Sequence, residues 1–188
     1  MKSVDVPKVS KMQTTIMISG TGGQGVIAAA EFLAEALYKN GRHVVNTRSY
    51  GAEARGGSAR AEVIASDEEI YDLQFEKADI MVILSIPAYR KFVSVGKPGG
   101  LMIVDSRVSA KLVSGEIRKD LEVMTVSASD IAERLGNPIV ANMVLLAALA
   151  KKTQLISIDQ LRDAVKTLMR PQFQEINLKA IEEGATAL

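Results

Sequence analysis

Short continuous apolar runs alternate along this chain with segments whose apolar positions recur every three or four residues, the mark of strands laid between helices. Thr15-Ile-Met-Ile-Ser19 reads as a short buried strand, and Val26, Ala30, Leu33 and Leu37 then recur at helical spacing. Gly20 to Gly25 therefore join a strand to a helix. His43-Val-Val-Asn-Thr-Arg-Ser49 reads as the next strand. Residues 58–65 alternate with period two, Ala59, Ala61 and Val63 against Arg60 and Glu62, which predicts a strand with one solvated or partner-facing side. Residues 79–84 and 101–104 are unbroken apolar runs, as central strands of a parallel sheet are, with Lys97-Pro-Gly-Gly100 as the break between them. Residues 122–126 supply a further strand. Helix starts follow from capping chemistry: Ser129 with Asp130 opens a short helix over 131–135, Asn137 caps one begun by Pro138, Ser157-Ile-Asp-Gln160 is a capping box, and Pro171 starts the last helix. The order predicts one α/β domain, a three-layer sandwich around a mostly parallel sheet, with 58–65 antiparallel at one side. It spans 14–188, after a flexible N-terminal tail over 1–13.

Composition narrows what such a domain does. With 188 residues the chain suits a single core, and with 23 basic against 22 acidic residues, net charge +1, it carries no electrostatic case for nucleic acid or an anionic membrane. There is no cysteine, so the chain holds no disulfide and no thiolate-ligated iron–sulfur cluster. The single histidine, His43, builds no metal site by itself and reads as a packed structural residue. Residues 1–10 lack the apolar core of a signal peptide, and the longest apolar stretch, 139–150, is too short to span a bilayer and contains Asn142. A cytoplasmic location is expected.

The chemistry concentrates in two loops. At the first, Gly20, Gly22 and Gly25 fit G-x-G-x-x-G between a strand and a helix, where glycines let backbone N–H groups approach an anion and the helix N-terminus adds partial positive charge. A nicotinamide dinucleotide also wants an acidic residue at the end of the second strand, and that strand has none. Arg48 there suits a 2′-phosphate instead, which keeps an NADP-binding reading open. In the second loop Tyr50, Gly51, Glu53, Arg55, Gly56 and Gly57 gather an aromatic, both charge signs and three glycines. The Arg55 guanidinium can fork onto a phosphate or a partner's carboxylate, while the bland alternative is a solvated Glu53–Arg55 pair. Ligands of such sheets gather at the carboxyl ends of the strands, so both loops are expected to converge there, with Ser85, Pro87 and Asp105-Ser106 completing the rim. Asp105 reads better as orienting a loop than as touching ligand. Asn142, polar in an apolar helix, either braces the glycine loops from beneath or meets another subunit.

Gly20-Thr-Gly-Gly-Gln-Gly-Val26 followed by Ser49-Tyr-Gly-Ala-Glu-Ala-Arg-Gly-Gly57 resembles the gamma subunit of the 2-oxoacid:ferredoxin (or flavodoxin) oxidoreductases. The resemblance extends from about residue 14 to the C-terminus through Ala78-Asp-Ile-Met-Val-Ile-Leu84, Asp105, Asn142-Met143 and the Asn177/Ala180/Gly184 pattern. The second motif is closer to the 2-oxoglutarate branch than to the pyruvate branch. The chain departs at Ala52, where proline is common in that branch, and at Ala147 and Ala150, where glycine often sits. The resemblance implies thiamine diphosphate between alpha and beta partner subunits, iron–sulfur clusters in beta and delta parts, and ferredoxin or flavodoxin as electron acceptor of the complex. It implies that the backbone of Gly22, Gly23, Gln24 and Gly25 and the side chain of Arg55 help bind coenzyme A, and that this chain supplies no catalytic residue and no metal ligand. Tyr50, Glu53, Gly56, Gly57 and Asn142 then face partners or brace the loops. A purely structural assembly role remains the other alternative.

Overall fold

The computed structural model describes residues 13–50, 57–113 and 115–187, with the side chain of Tyr50 left out. Six strands form one sheet: β1 (Gln13–Thr21), β2 (His43–Tyr50), β3 (Ser58–Ser66), β4 (Ala78–Ile83), β5 (Gly96–Asp105) and β6 (Glu122–Val126), in the order β2-β3-β1-β4-β5-β6. β1, β4, β5 and β6 are parallel neighbours, while β3 runs antiparallel to both β1 and β2. The antiparallel strand thus lies inside the sheet. The hairpin from β2 to β3 turns back at the carboxyl end of β1, because Thr21 is paired with Ser58.

Among the described residues seven helices cover the sheet: α1 (Val26–Lys39), α2 (Ile86–Phe92), α3 (Ser106–Ser109), α4 (Ala128–Arg134), α5 (Ala141–Thr153), α6 (Ile158–Leu168) and α7 (Pro171–Thr186). The three layers are unequal. Ile16 and Ile18 of β1, Val82 of β4 and Ile103 of β5 point into a large core shared with α1, α4, α5, α6 and α7. Met17, Met81 and Met102 point the other way, into a thinner core under Ala88, Tyr89 and Phe92 of α2. α5 lies in the middle of the thick layer and is buried on every side from Ala141 to Ala150, which explains its nearly unbroken apolar sequence.

Four local expectations are corrected. Residues 58–66 do alternate, yet β3 presents no solvated side: Glu62 is 5% exposed and pairs with Arg60, whose guanidinium lies 5.5 Å from the Phe92 ring of α2. His43 is exposed rather than packed, because β2 is the edge strand and has no neighbour on its outer side. Lys97 to Gly100 do not separate two strands but form an irregular start to β5, where the pairing slips between Ala78 and Ile80 and Gly99 takes φ 78°. The separation comes from α2, which is too short to show a clear helical period in sequence. Finally, the helix expected over 131–135 is α4, starting three residues earlier, and its Ser129 N–H is served from a distance, as described below. The helix begun by Pro138 starts as a 3-10 turn, Pro138–Val140, with the Ile139 N–H donating to Asn137 Oδ1 at 3.1 Å. The capping box at Ser157 and Gln160 forms in full, and Pro171 opens α7.

α7 closes the thick layer through Gly184. A Cβ built there would lie 2.6 Å from the Val144 carbonyl oxygen and 3.0 Å from Ala147 Cβ, so the backbones of α5 and α7 meet with no room for a methyl group. Gly184→Ala gains helix propensity of about 1 kcal/mol but overpacks this contact by about 1–3 kcal/mol. A net loss of about 1 kcal/mol in denaturant unfolding is expected, and an unchanged or raised midpoint would show that the two helices separate freely.

Candidate functional site

β1 is buried along most of its length and delivers Gly20 to the carboxyl edge of the sheet, where a side chain has no room: a Cβ on Gly20 would lie 2.7 Å from Gln24 Oε1 and 3.1 Å from Leu84 Cβ. The chain then turns through Gly22, Gly23 and Gln24 into α1. Gly25, at φ 69°, is the N-cap residue, in a left-handed conformation that favours glycine. The Gln24 side chain staples the turn, its Oε1 accepting from the Thr21 N–H at 2.6 Å and its Nε2 donating to the Leu84 carbonyl at 3.1 Å. The first loop is thereby tied to the end of β4.

The two glycine loops meet as expected. The Gly22 N–H donates to the Gly57 carbonyl at 3.1 Å, a contact made possible by the β2–β3 hairpin. Gly51 to Gly56, with Glu53 and Arg55 among them, lie outside the described residues, as does the Tyr50 side chain. Of the four backbone groups expected to face a ligand, two are engaged within the loops: Gly22 with Gly57, and Gln24 with the Thr21 carbonyl at 3.2 Å. The Gly23 and Gly25 N–H groups, and those of Val26, Ile27 and Ala28 in the first turn of α1, have no acceptor among the described residues. Five donors and the positive end of a 14-residue helix are left at one spot.

Asn142 holds this arrangement from beneath. Its Nδ2 donates to the Gly25 carbonyl at 3.1 Å, across 117 residues of sequence, while its buried Oδ1 has no partner. The bond ties α5 to the first loop. Asp105 also orients rather than binds: 2% exposed, it accepts from the Arg107 N–H at 2.9 Å and the Ser129 N–H at 2.6 Å, tying the starts of α3 and α4 to the end of β5. Ser85 serves as N-cap of α2, accepting from the Ala88 N–H at 3.3 Å, and Pro87 sits in that helix's first turn. Neither lines the cleft described next.

Between the first loop and the ends of β4, β5 and β6 lies a cleft of about 160 Å³, lined by Gly23, Gln24, Leu84, Arg107, Ser129 and Ile139 among others. That volume suits a phosphate or pyrophosphate group, well short of the roughly 300–1,000 Å³ of a complete small-molecule pocket. Chemically the cleft offers hydrogen-bond donors and one guanidinium to an anion, and among the described residues no group of His, Cys, Asp and Glu able to hold a metal. Arg107, Ser129 and Glu133 were not singled out from sequence as site residues. Their signal is positional, since Arg107 and Ser129 lie two and three residues beyond the carboxyl ends of the parallel strands β5 and β6. Arg48 stands apart from this place: β3 separates its strand from β1, and its guanidinium is 3.4 Å from Glu31. A dinucleotide seated on Gly20–Gly25 would not meet it in the way a Rossmann sheet arranges, with the second strand next to the first.

No helix of the described structure is long and apolar enough to cross a membrane. Comparison with known proteins adds family and fold. The model of the pyruvate ferredoxin/flavodoxin oxidoreductase family matches residues 15–187. The chain is 38% identical over 181 residues to the 2-oxoglutarate synthase subunit KorC of Methanothermobacter marburgensis, covering 92% of this chain and 95% of that one. Among solved structures it resembles the gamma subunit of a keto/oxoacid ferredoxin oxidoreductase from Geobacter sulfurreducens, with TM-score 0.79 and 32% identity over 93% of this chain and 97% of that one. It also resembles the 2-oxoglutarate:ferredoxin oxidoreductase of Magnetococcus marinus, solved with 2-oxoglutarate, coenzyme A and succinyl-CoA, with TM-score 0.82 and 25% identity. There the match covers 93% of this chain but 31% of the other, so the same fold occurs as part of a longer polypeptide.

Proposed function

The chain belongs to the pyruvate ferredoxin/flavodoxin oxidoreductase family, and from that premise we propose that it is the gamma subunit of a CoA-acylating 2-oxoacid:ferredoxin oxidoreductase whose substrate is 2-oxoglutarate. The choice of branch is supported by its likeness to the subunit KorC and by the motif Ser49-Tyr-Gly-Ala-Glu-Ala-Arg-Gly-Gly57. The complex would join a 2-oxoacid, coenzyme A and oxidised ferredoxin to give an acyl-CoA, CO₂ and reduced ferredoxin. Thiamine diphosphate and iron–sulfur clusters belong to the alpha, beta and delta partners in this reading, since this chain has no cysteine to ligate a cluster.

The observation that carries the role is the set of N–H groups at Gly23, Gly25 and the start of α1, beside the second loop through Gly22 and Gly57. Coenzyme A fits this cradle in kind: its pyrophosphate needs donors without an intervening Cβ, and the left-handed Gly25 provides them. When bound, coenzyme A supplies the thiol that accepts the acyl group. This chain's own residues position its phosphates and exclude water; they supply no nucleophile, base or electron carrier. The size of the cleft accords with a shared site, completed by the second loop and by partner chains.

The test uses the complex reconstituted from its subunits. Arg55→Ala is expected to raise KM for coenzyme A by about tenfold or more, the worth of a charge-assisted hydrogen bond of about 1.5–3 kcal/mol, with kcat and the 2-oxoglutarate KM little changed. Loss of assembly with an unchanged KM for coenzyme A would favour a purely structural subunit. Protection of the isolated chain by NADPH, without partners, would revive the dinucleotide reading.

A further inference from the structure

Arg107 is the one lysine or arginine among the described residues lining the cleft, which it shares with Gly23 and Gln24 of the first glycine loop. Its stem is fixed, because its backbone N–H is held by the buried Asp105 carboxylate. Its guanidinium is not tied down in the same way. It lies 2.6 Å from Asp130 Oδ1 and donates through Nη2 to Glu133 Oε2 at 2.6 Å, and among the described residues its side chain bonds only to these two carboxylates of α4. Arg118 shows what a structural arginine looks like in this molecule: besides Asp120 it reaches the backbone carbonyls of Val93 and Gly96, at 2.9 and 3.2 Å, and so locks two segments together. Arg107 makes no such backbone bond. Its carboxylate partners are 54% and 56% exposed, so water screens the attraction and competes for it. One guanidinium against two carboxylates also leaves net negative charge beside a cleft lined in part by Gly23, whose N–H has no acceptor among the described residues.

Resting on the reading that phosphates of coenzyme A sit at the first glycine loop, we propose that Arg107 is a second phosphate-binding side chain of that site and that Glu133 is its exchangeable counter-ion. A phosphate entering from Gly23 offers the same two-oxygen fork as the Glu133 carboxylate, with more charge and with additional donors from the loop. It takes the place of Glu133 on the guanidinium, while Asp130 keeps the arginine in position. Glu133 thereby weakens binding and is released when the ligand arrives. This makes the affinity of the site adjustable at a residue that touches no ligand itself.

The assembled complex tests this with two variants of opposite expected sign. Arg107→Ala is expected to raise KM for coenzyme A about five- to tenfold, in keeping with loss of a partly exposed charge-assisted contact, with partial rescue by Arg107→Lys. Glu133→Gln is expected to lower the same KM by about threefold, since it removes a competing charge of surface-pair strength. Neither change is expected to move the KM for 2-oxoglutarate. If both variants lower the melting temperature and leave KM for coenzyme A unchanged, or if both raise it, the pair is a tie between α3 and α4 and the inference fails. Arg55→Ala, measured alongside, separates the two readings. A raised KM there with no effect at Arg107 and Glu133 overturns only the counter-ion exchange, whereas no effect at any of the three overturns the coenzyme A site itself.

Discussion

Gly25→Val is expected to destabilise the protein by about 3–4 kcal/mol and to leave the reconstituted complex unsaturable with coenzyme A. Two independent causes add. A left-handed residue with a side chain costs about 1–2 kcal/mol, more for a β-branched one, and Gly25 sits at φ 69°. The added Cβ would also press on Asn142 Nδ2, closer than real Cβ contacts come, with Ile139 Cγ2 at 3.4 Å closing the other side; such overpacking costs about 1–3 kcal/mol. For a domain of this length the melting temperature then falls by roughly 10 °C. The steric half of the argument has its own test. In the Asn142→Ala background the cost of Gly25→Ala should shrink, because the obstructing amide is gone, whereas Asn142→Ala alone should cost about 1 kcal/mol for its bond to the Gly25 carbonyl. Strict additivity in that cycle would mean that backbone strain alone is at work. A melting temperature for Gly25→Val within about 2 °C of the wild type would mean that the loop rearranges at little cost, and the pre-formed cradle would go with it.

Asp105→Ala is the second large effect, about 3 kcal/mol. The carboxylate is buried and accepts from two backbone N–H groups that have no other acceptor, those of Arg107 and Ser129. Hydrogen bonds to a charged group contribute about 1.5–3 kcal/mol each, and part is recovered when water reaches the freed donors. Asp105→Asn keeps one acceptor oxygen and is expected to lose about half as much. Since Arg107 and Ser129 both line the cleft, the KM for coenzyme A should rise along with the loss of stability. Equal denaturation midpoints for Asp105→Asn and the wild type would show that only one of the two bonds matters.

Much of this protein was legible one segment at a time. The helical spacing from Val26 to Leu37, the capping box at Ser157, Pro171 at the start of α7 and the apolar runs of β4 and β5 are local patterns, and each appears where the periodicity placed it. The two glycine motifs likewise pointed to the family from their order alone. Local pattern misled where the surroundings decide burial. Arg60 and Glu62 alternate with apolar neighbours as on a half-exposed strand, yet α2 lies over them. His43 read as a packed strand residue and is exposed on the edge strand.

By itself the sequence determined the α/β character of the chain, the strand-to-helix glycine turn and the lack of thiolate ligands, because these depend on residue type and on spacings of a few positions. Only the tertiary structure decided which distant groups meet around the first loop and the cleft. Gly22 meets Gly57, Asn142 reaches Gly25 across 117 residues, and Arg107 meets Glu133 across 26. It also decided that Gly22 and Gln24 use their N–H groups within the loops while those of Gly23 and Gly25 have no acceptor among the described residues. Those pairings follow from strand order and from which faces α4 and α5 bury, and such long-range packing leaves no periodic trace in the residues it joins.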